Sequence, residues 1–465
     1  MSPAPQPSAY RPEAAILTLG TDFYDPVRPA EFPQHVLRFR NQRWADAVGL
    51  GDLDAVAWVG HFGRFRPLPG SLAEPLALRY HGHQFRVYNP DIGDGRGFLF
   101  AQLRDGRERL LDLGTKGSGQ TPYSRFGDGR LTLKGGVREV LATEMLEALG
   151  VNTSKSFSLI ETGEALHRGD EPSPTRSAVL VRLSHSHIRI GAFQRLAYFN
   201  DQAGLRRLTD YCLTELFGEK GGGADAPARL LGHVVRGTAR LAASYMAAGF
   251  VHGVLNSDNI NVTAESFDYG PWRWAPSFDP GFTAAYFDQQ GLYAYGRQAQ
   301  AIHWDVVQLA LSLRATVEVE ALAPPLDTFA EHYEAAMVAA LLGRLGVGRR
   351  SEQEDLALAE AIETGLRESR VSLDRFWFDW RGGRRRGPSP ADGIYASPAF
   401  APFAEQVARF EPAVALDHPY WSDAEPCSML IDEVEAIWAP IAERDDWSLF
   451  DAKIATIRRF GEAMR

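Results

Sequence analysis

The chain of 465 residues reads as an α+β protein in two lobes, the first rich in strands and the second in helices. From Tyr80 to about residue 200, short apolar runs alternate with Gly turns, the texture of a sheet. From Leu205 to about Leu373, apolar residues recur at helical spacing. Between two helical runs lies a polar stretch, GFVHGVLNSDNINVTAESFDYG from Gly249, which brings Asp258, Asn259 and Asp268 into one short segment.

Taken in order, residues 1–79 form an N-terminal extension expected to wrap the core. It has a Pro-rich mobile tail to about Pro12, an amphipathic stretch from Val36 to Val48 ending in a helix, and irregular connections over 51–79. Residues 80–200 are the β-rich lobe. Phe98 to Leu103 and Arg109 to Leu113 read as strands joined at Asp105-Gly106, a strong hairpin signal, and the second strand delivers Lys116 to its end. A helix is expected from Val137 to Leu149, stopped by Gly150, followed by strands at Ser156 to Ile160 and Ser177 to Leu183 that run on into SHSHIRIGAFQ. Residues 201–375 are the helical lobe. Gly221 to Gly223 mark a loop, and another helix lies near Ile302 to Leu313. Residues 376–465 are a helical addition of unassigned role. Strands first, helices second and a polar loop inside the helical half give the order of a two-lobed protein-kinase-like fold.

Composition narrows the function. The length is about three times the 150-residue prior for a domain, enough for a large core. A net charge of -10 argues against a general nucleic-acid or anionic-membrane binder, which needs surplus cations. Cys212 and Cys427 are the two cysteines, too few for a disulfide framework or a cysteine zinc site. No apolar run reaches the ~18 residues that span a bilayer, and the N-terminus lacks a signal-peptide pattern, so a soluble cytoplasmic protein is expected.

The chemistry sits in four elements. Magnesium or manganese takes oxygen ligands and shares them with substrate phosphates, so Asn259 and Asp268 suffice as protein ligands. Lys116 can neutralise phosphate oxygens, and Glu139 in the next helix can hold its ammonium, although a strand-end lysine is commonly solvated and a first-turn acid commonly satisfied by the helix dipole. The loop GDGRG at Gly93 to Gly97 lacks GxGxxG spacing, yet Gly93 and Gly95 permit close backbone approach and Arg96 offers a phosphate fork. A second GDGR, with Asp128 and Gly129, follows Lys116. Arg182 and Arg189 suit a terminal phosphate, or are exposed strand charges. His185 with His187, and His81 with His83, have no third ligand nearby for zinc. The run from Arg381 to Arg386 reads as a solvated loop that could attract an acidic partner.

These segments resemble the selenoprotein O family: HGHQFRVYNPDIGDGRG, LDLGTKGSGQTPYSRFGDGR, REVLATEMLEALGVNTSKSFSLI, VLVRLSHSHIRIGAF, GFVHGVLNSDNINV, FDYGP and SFDPGF. The resemblance runs from about residue 18 to about 315, and residues from about 380 onward depart from it. It implies an atypical pseudokinase fold that transfers AMP from ATP to protein Ser, Thr or Tyr hydroxyls, with ATP inverted relative to kinases. On that basis Lys116 matches the phosphate-binding lysine and Glu139 its partner. Gly93, Gly95, Arg96, Asp128 and Gly129 match nucleotide contacts, Arg182 and Arg189 the distal-phosphate arginines, Asp258 the base, and Asn259 and Asp268 the metal ligands. Many members carry a C-terminal Cys or selenocysteine, whereas this chain ends FGEAMR, so a redox switch there is not implied. The alternatives are a catalytically silent nucleotide-binding scaffold and a γ-phosphoryl kinase. A dinucleotide oxidoreductase is disfavoured because no GxGxxG follows a strand and opens a helix.

Overall fold

The computed structural model describes residue 6, residues 8–169 and residues 171–465. Its centre is a nine-stranded antiparallel sheet in the order Tyr24–Pro26, Leu76–Leu78, Leu99–Arg104, Leu110–Lys116, Thr175–Ser184, Lys155–Leu166, Val36–Arg40, with Pro12–Glu13 added to Leu99–Arg104 and Leu131–Thr132 to Thr175–Ser184. The Asp105 hairpin forms as predicted, its carboxylate accepting from the Arg107 and Arg109 backbone N–H groups.

The two-residue period of the strands decides what reaches the functional face. Val179, Val181 and Leu183 face an aromatic cluster built by Trp58, Phe62 and Phe157, whereas Ala178 and Leu180 face the helix Leu133–Ala148 through Val137 and Leu141. Arg182 lies on the Leu180 face. Lys116 pairs directly with Leu180 across the ladder and shares that face. The helix starts four residues before the expected Val137 because the Thr132 side chain caps the Gly135 N–H, which offsets the cost of Gly135 and Gly136 in its first turns.

Several expectations need correction. The N-terminal extension supplies strands to both sheet edges as well as packing around the core, and the irregular stretch 51–79 contains the helix Ala55–Phe62 and the strand Leu76–Leu78. The Val36 stretch is a strand, Val36–Arg40, before the helix Gln42–Ala47. From Ser8 onward the expected mobile tail is packed, with the Ser8 N–H on Asp46 O and Pro12–Glu13 in the sheet; residues 1–5 and 7 lie outside the described residues. SHSHIRIGAFQ is not strand: Ile190–Tyr198 is a helix and Arg189 its N-cap.

The helical part packs Ala226–Ala248 against Gln298–Leu313 and Phe329–Leu345. Gly249, at φ 71°, ends the first of these in the left-handed conformation and turns the chain into Phe250–Val251, which pairs with Arg273–Trp274. That short ladder closes the base of the polar loop. Ser448–Ala463 and Ile431–Arg444 pack on the far side of the helix Leu133–Ala148, where Arg458 donates to Glu144 at 2.8 Å.

Candidate active site

Lys116, at the end of its strand, meets Glu139 from the helix at 2.6 Å, and both are buried. Glu139 is therefore not a solvated acid at a helix start. Asp268 enters from the polar loop and collects three cations: Lys116 Nζ at 3.0 Å, Arg182 Nη1 at 3.3 Å and Arg189 Nη1 at 3.1 Å. Burial opposes its ionisation, but Lys116, Arg182, Arg189 and Arg96 hold the carboxyl well below the ordinary range. Arg182 and Arg189 are buried, not exposed strand charges. The Nε atoms of both have no hydrogen-bond partner among the described residues, so each guanidinium keeps an unused donor.

These groups wall a cleft of about 790 Å³. Gly93, Gly95, Arg96, Asp128, Gly129, Asp258 and Asn259 line it too, so every nucleotide, base and metal candidate from the sequence reaches it except Glu139, which is paired with Lys116. Gly93 is packed so closely under Tyr123 that a Cβ would lie 2.5 Å from the ring. Asp128 is turned toward Arg168 at 2.8 Å.

Asp258 sits in the one-turn helix Ser257–Asn259. Its Oδ2 accepts from Gln84 at 3.5 Å while its Oδ1 is buried without a partner among the described residues. Burial, with Arg189 opposing, pushes this carboxyl up to about 6. Arg189 also donates to the Asp258 carbonyl at 2.8 Å, tying the acid to the arginine cluster. Asn259 donates a side-chain amide N–H to Val254 O at 2.9 Å. Asp268 holds a left-handed φ of 63°, strained for any residue but Gly and tolerated best by Asn and Asp.

Among the described residues no group of three or more His, Cys, Asp or Glu could hold a metal by itself. The oxygens on offer here are instead the Asp268 carboxylate and the Asn259 amide oxygen, beside the cations Lys116, Arg182 and Arg189. That fits magnesium or manganese completed by phosphate oxygens.

Sequence reasoning missed Asp94, whose carboxylate faces Arg189 at 3.5 Å and lines the cleft; its place inside GDGR was the available signal. It also missed Gln84 and Asn256, and Asp305, buried with neither carboxylate oxygen partnered, whose carboxyl burial and the Asp258 charge raise well above the ordinary range. Three of the four histidines considered for zinc have structural partners: His81 meets Tyr88 Oη at 2.8 Å, His83 meets Gln194 at 2.7 Å and His187 meets Asp112 at 3.3 Å, whereas His185 Nε2 is buried without a partner among the described residues. The run Arg381 to Arg386 is largely not solvated. Arg381 is buried and donates to Gly343 O and Arg344 O, and Arg386 donates to Phe378 O and Trp421 O.

A family model described as protein adenylyltransferase SelO matches residues 8–386. A protein nucleotidyltransferase YdiU of Gloeobacter violaceus is 43% identical over 468 residues, covering 96% of this chain and 95% of the relative. One from Trichormus variabilis is 40% identical, covering 97% and 96%, and one from Synechococcus elongatus is 48% identical, covering 75% and 70%. The first two matches extend past residue 386, so the C-terminal region that the sequence set apart is shared with those relatives. With more than half its length matched by the family model and a paired Lys116–Glu139 facing Asp268 across the cleft, the chain belongs to the SelO family.

Proposed function

We propose that this protein transfers AMP from ATP to Ser, Thr or Tyr hydroxyls of other proteins, releasing pyrophosphate. The observation that carries the reading is the gathering of Lys116, Arg182 and Arg189 within 3.3 Å of one ionised carboxylate, Asp268, on a cleft that Asp258 also lines. Nucleotidyl transfer needs positioning and charge neutralisation more than covalent help. The charges of Arg182 and Arg189, which line the cleft with Lys116 and Arg96, suit the triphosphate tail. Gly93, Gly95, Asp128 and Gly129 border the nucleotide.

Asp258 takes the proton of the acceptor hydroxyl as its oxygen bonds to the α-phosphorus. The bond from that phosphorus to the bridging oxygen breaks, and pyrophosphate leaves with the electron pair. Asn259 and Asp268 would hold magnesium or manganese, which supplies charge neutralisation on the phosphates. Glu139 keeps the Lys116 ammonium fixed.

The same reading treats residues 80–200 and 201–375 as the lobes of a kinase-like fold, with 1–79 and 376–465 as supporting additions, in a cytoplasmic protein acting on ATP. Incubating the protein with ATP and magnesium and recording intact mass tests it. A gain equal to AMP on the protein or on an added acceptor is the expected result. A gain equal to phosphate, or label arriving only from γ-labelled ATP, overturns it.

A further inference from the structure

Large apolar side chains open to solvent are gathered beside Asp258. They lie around the hairpin formed by Gly82–Gln84 and Val87–Asn89. Val87 is 69% exposed on the hairpin, and Tyr286 is 83% and Phe287 46% exposed on the segment that meets Phe85 at its tip. Phe85 meets Phe287 at 5.8 Å between ring centroids, and Phe287 meets Tyr286 at 5.1 Å. A contiguous exposed apolar patch of this kind marks an interaction surface.

The tip itself is unusual. Phe85 and Arg86 have φ of 50° and 63°, the left-handed values of a tight hairpin loop that Asn and Gly normally supply. A bulky aromatic and an arginine there cost backbone strain, and strain of this sort is kept where the side chains serve a purpose.

The patch is tied to the catalytic turn residue by residue. The His83 N–H donates to Ser257 Oγ at 2.7 Å, the Phe85 N–H to Asn256 Oδ1 at 3.1 Å, and Gln84 to Asp258 itself. A Cβ on Gly82 would stand 2.8 Å from the Asp258 Cβ. The hairpin therefore stands directly against the turn that carries Asp258, with Gln84 on the cleft wall.

We infer that Phe85, Val87, Tyr286 and Phe287 form the docking surface for the acceptor protein, taking an apolar side chain close in sequence to the hydroxyl that is modified. The inference rests on the AMP-transfer reading above. The net charge of -10 disfavours an anionic membrane as the occupant. A second copy seated there would cover the approach to Asp258.

The test uses the full chain and two synthetic peptides with a single Tyr, one flanked by Leu and one by Asp. Transfer from α-labelled ATP, peptide binding by fluorescence anisotropy, and ATP affinity are measured for the wild type and for Val87→Ser combined with Phe287→Ser. Both substituted residues are exposed, so folding is expected to persist. The wild type is expected to favour the Leu peptide by about tenfold in kcat/KM and in binding. The double variant is expected to lose that preference through KM, with kcat and ATP affinity unchanged. Equal binding of the two peptides, or an unaltered preference in the variant, overturns the inference. So does conversion of a wild-type dimer to a monomer by the same substitutions. If label never reaches either peptide while the Leu peptide still binds selectively, the AMP-transfer reading fails and the docking surface stands.

Discussion

Two regions of this molecule bury arginines, and they do so in opposite ways. In the cleft, burial works against the Arg189 guanidinium, yet Tyr80, Asp268 and Asp94 around it raise it above its ordinary value. In the C-terminal region, burial takes Arg344 down to about 10 despite Asp374 at 3.6 Å, and takes Arg381, beside the Arg344 charge, down to about 10. The first set is ringed by carboxylates and lines the open cleft, with Arg182 and Arg189 each giving an Nη atom to Asp268. The second gives its donors to backbone carbonyls, as Arg381 does to Gly343 O at 2.7 Å and Arg344 O at 2.6 Å. Buried positive charge alone therefore does not identify an anion site, and neither does an unpartnered Nε, which Arg381 has as well among the described residues. What sets the first cluster apart is several carboxylates on the wall of a cleft of about 790 Å³.

The sharpest way to break this contrast is Asp268→Asn. Asn tolerates the left-handed backbone there, so the fold is expected to remain. AMP transfer should fall by about 10²–10³-fold, the scale of losing a preorganised electrostatic group. Removing a negative charge from among three cations should at the same time tighten ATP binding in the presence of a chelator, by about tenfold. Titration calorimetry and α-label transfer read the two effects separately. Weaker chelator-independent binding would mean that Lys116, Arg182 and Arg189 serve Asp268 rather than phosphate.

Arg381→Met probes the other cluster. Leaving two buried carbonyls without their donor should cost about 2–4 kcal/mol in urea denaturation, with ATP affinity unchanged. A threefold or larger change in ATP affinity would show that the two clusters are coupled.

The same contrast explains what could be read from the sequence. Lys116 and Glu139 were legible because a strand end followed by a helix puts a lysine and an acid in kinase order, and the family resemblance pairs them. Asp94 was not, since a carboxylate between two glycines in a turn looks like turn chemistry until Arg189 arrives from a distant element. Ile188-Arg189-Ile190 alternates like a strand, but Arg189 caps a helix whose Gly191 packs against the His81 carbonyl, a long-range contact that no local pattern encodes. Arg381 to Arg386 looked solvated because like charges in a run usually repel into water. Here backbone carbonyls take Arg381 and Arg386, while Arg384 and Arg385 pair with Glu411 and Asp392. The edge strand Tyr24–Pro26 was hidden by its three-residue length and its proline, which edges tolerate, and its neighbour Leu76–Leu78 by its length alone.

A third arrangement of charge, at the seam between the sheet and the C-terminal helices, gives the smallest effect and the clearest dependence on pH. Asp445 ends the helix Ile431–Arg444 and accepts from Arg176 at 2.7 Å and Arg38 at 3.0 Å, both on strands of the sheet. Slight desolvation opposes ionisation, but Arg176, Trp447 and Arg38 bring the carboxyl down to about 2. A folded-state value below the unfolded one means that the contribution is complete above about pH 4 and is lost as pH falls toward 2. Its side chain is 50% exposed, so solvent screening limits the contribution to about 0.5–1 kcal/mol. Asp445→Asn should therefore lower stability slightly at pH 7, and the gap from the wild type should narrow between pH 4 and pH 3 in parallel urea titrations. A gap that stayed constant over that range would mean the seam is held by its apolar packing alone, with the two arginines contributing nothing through charge.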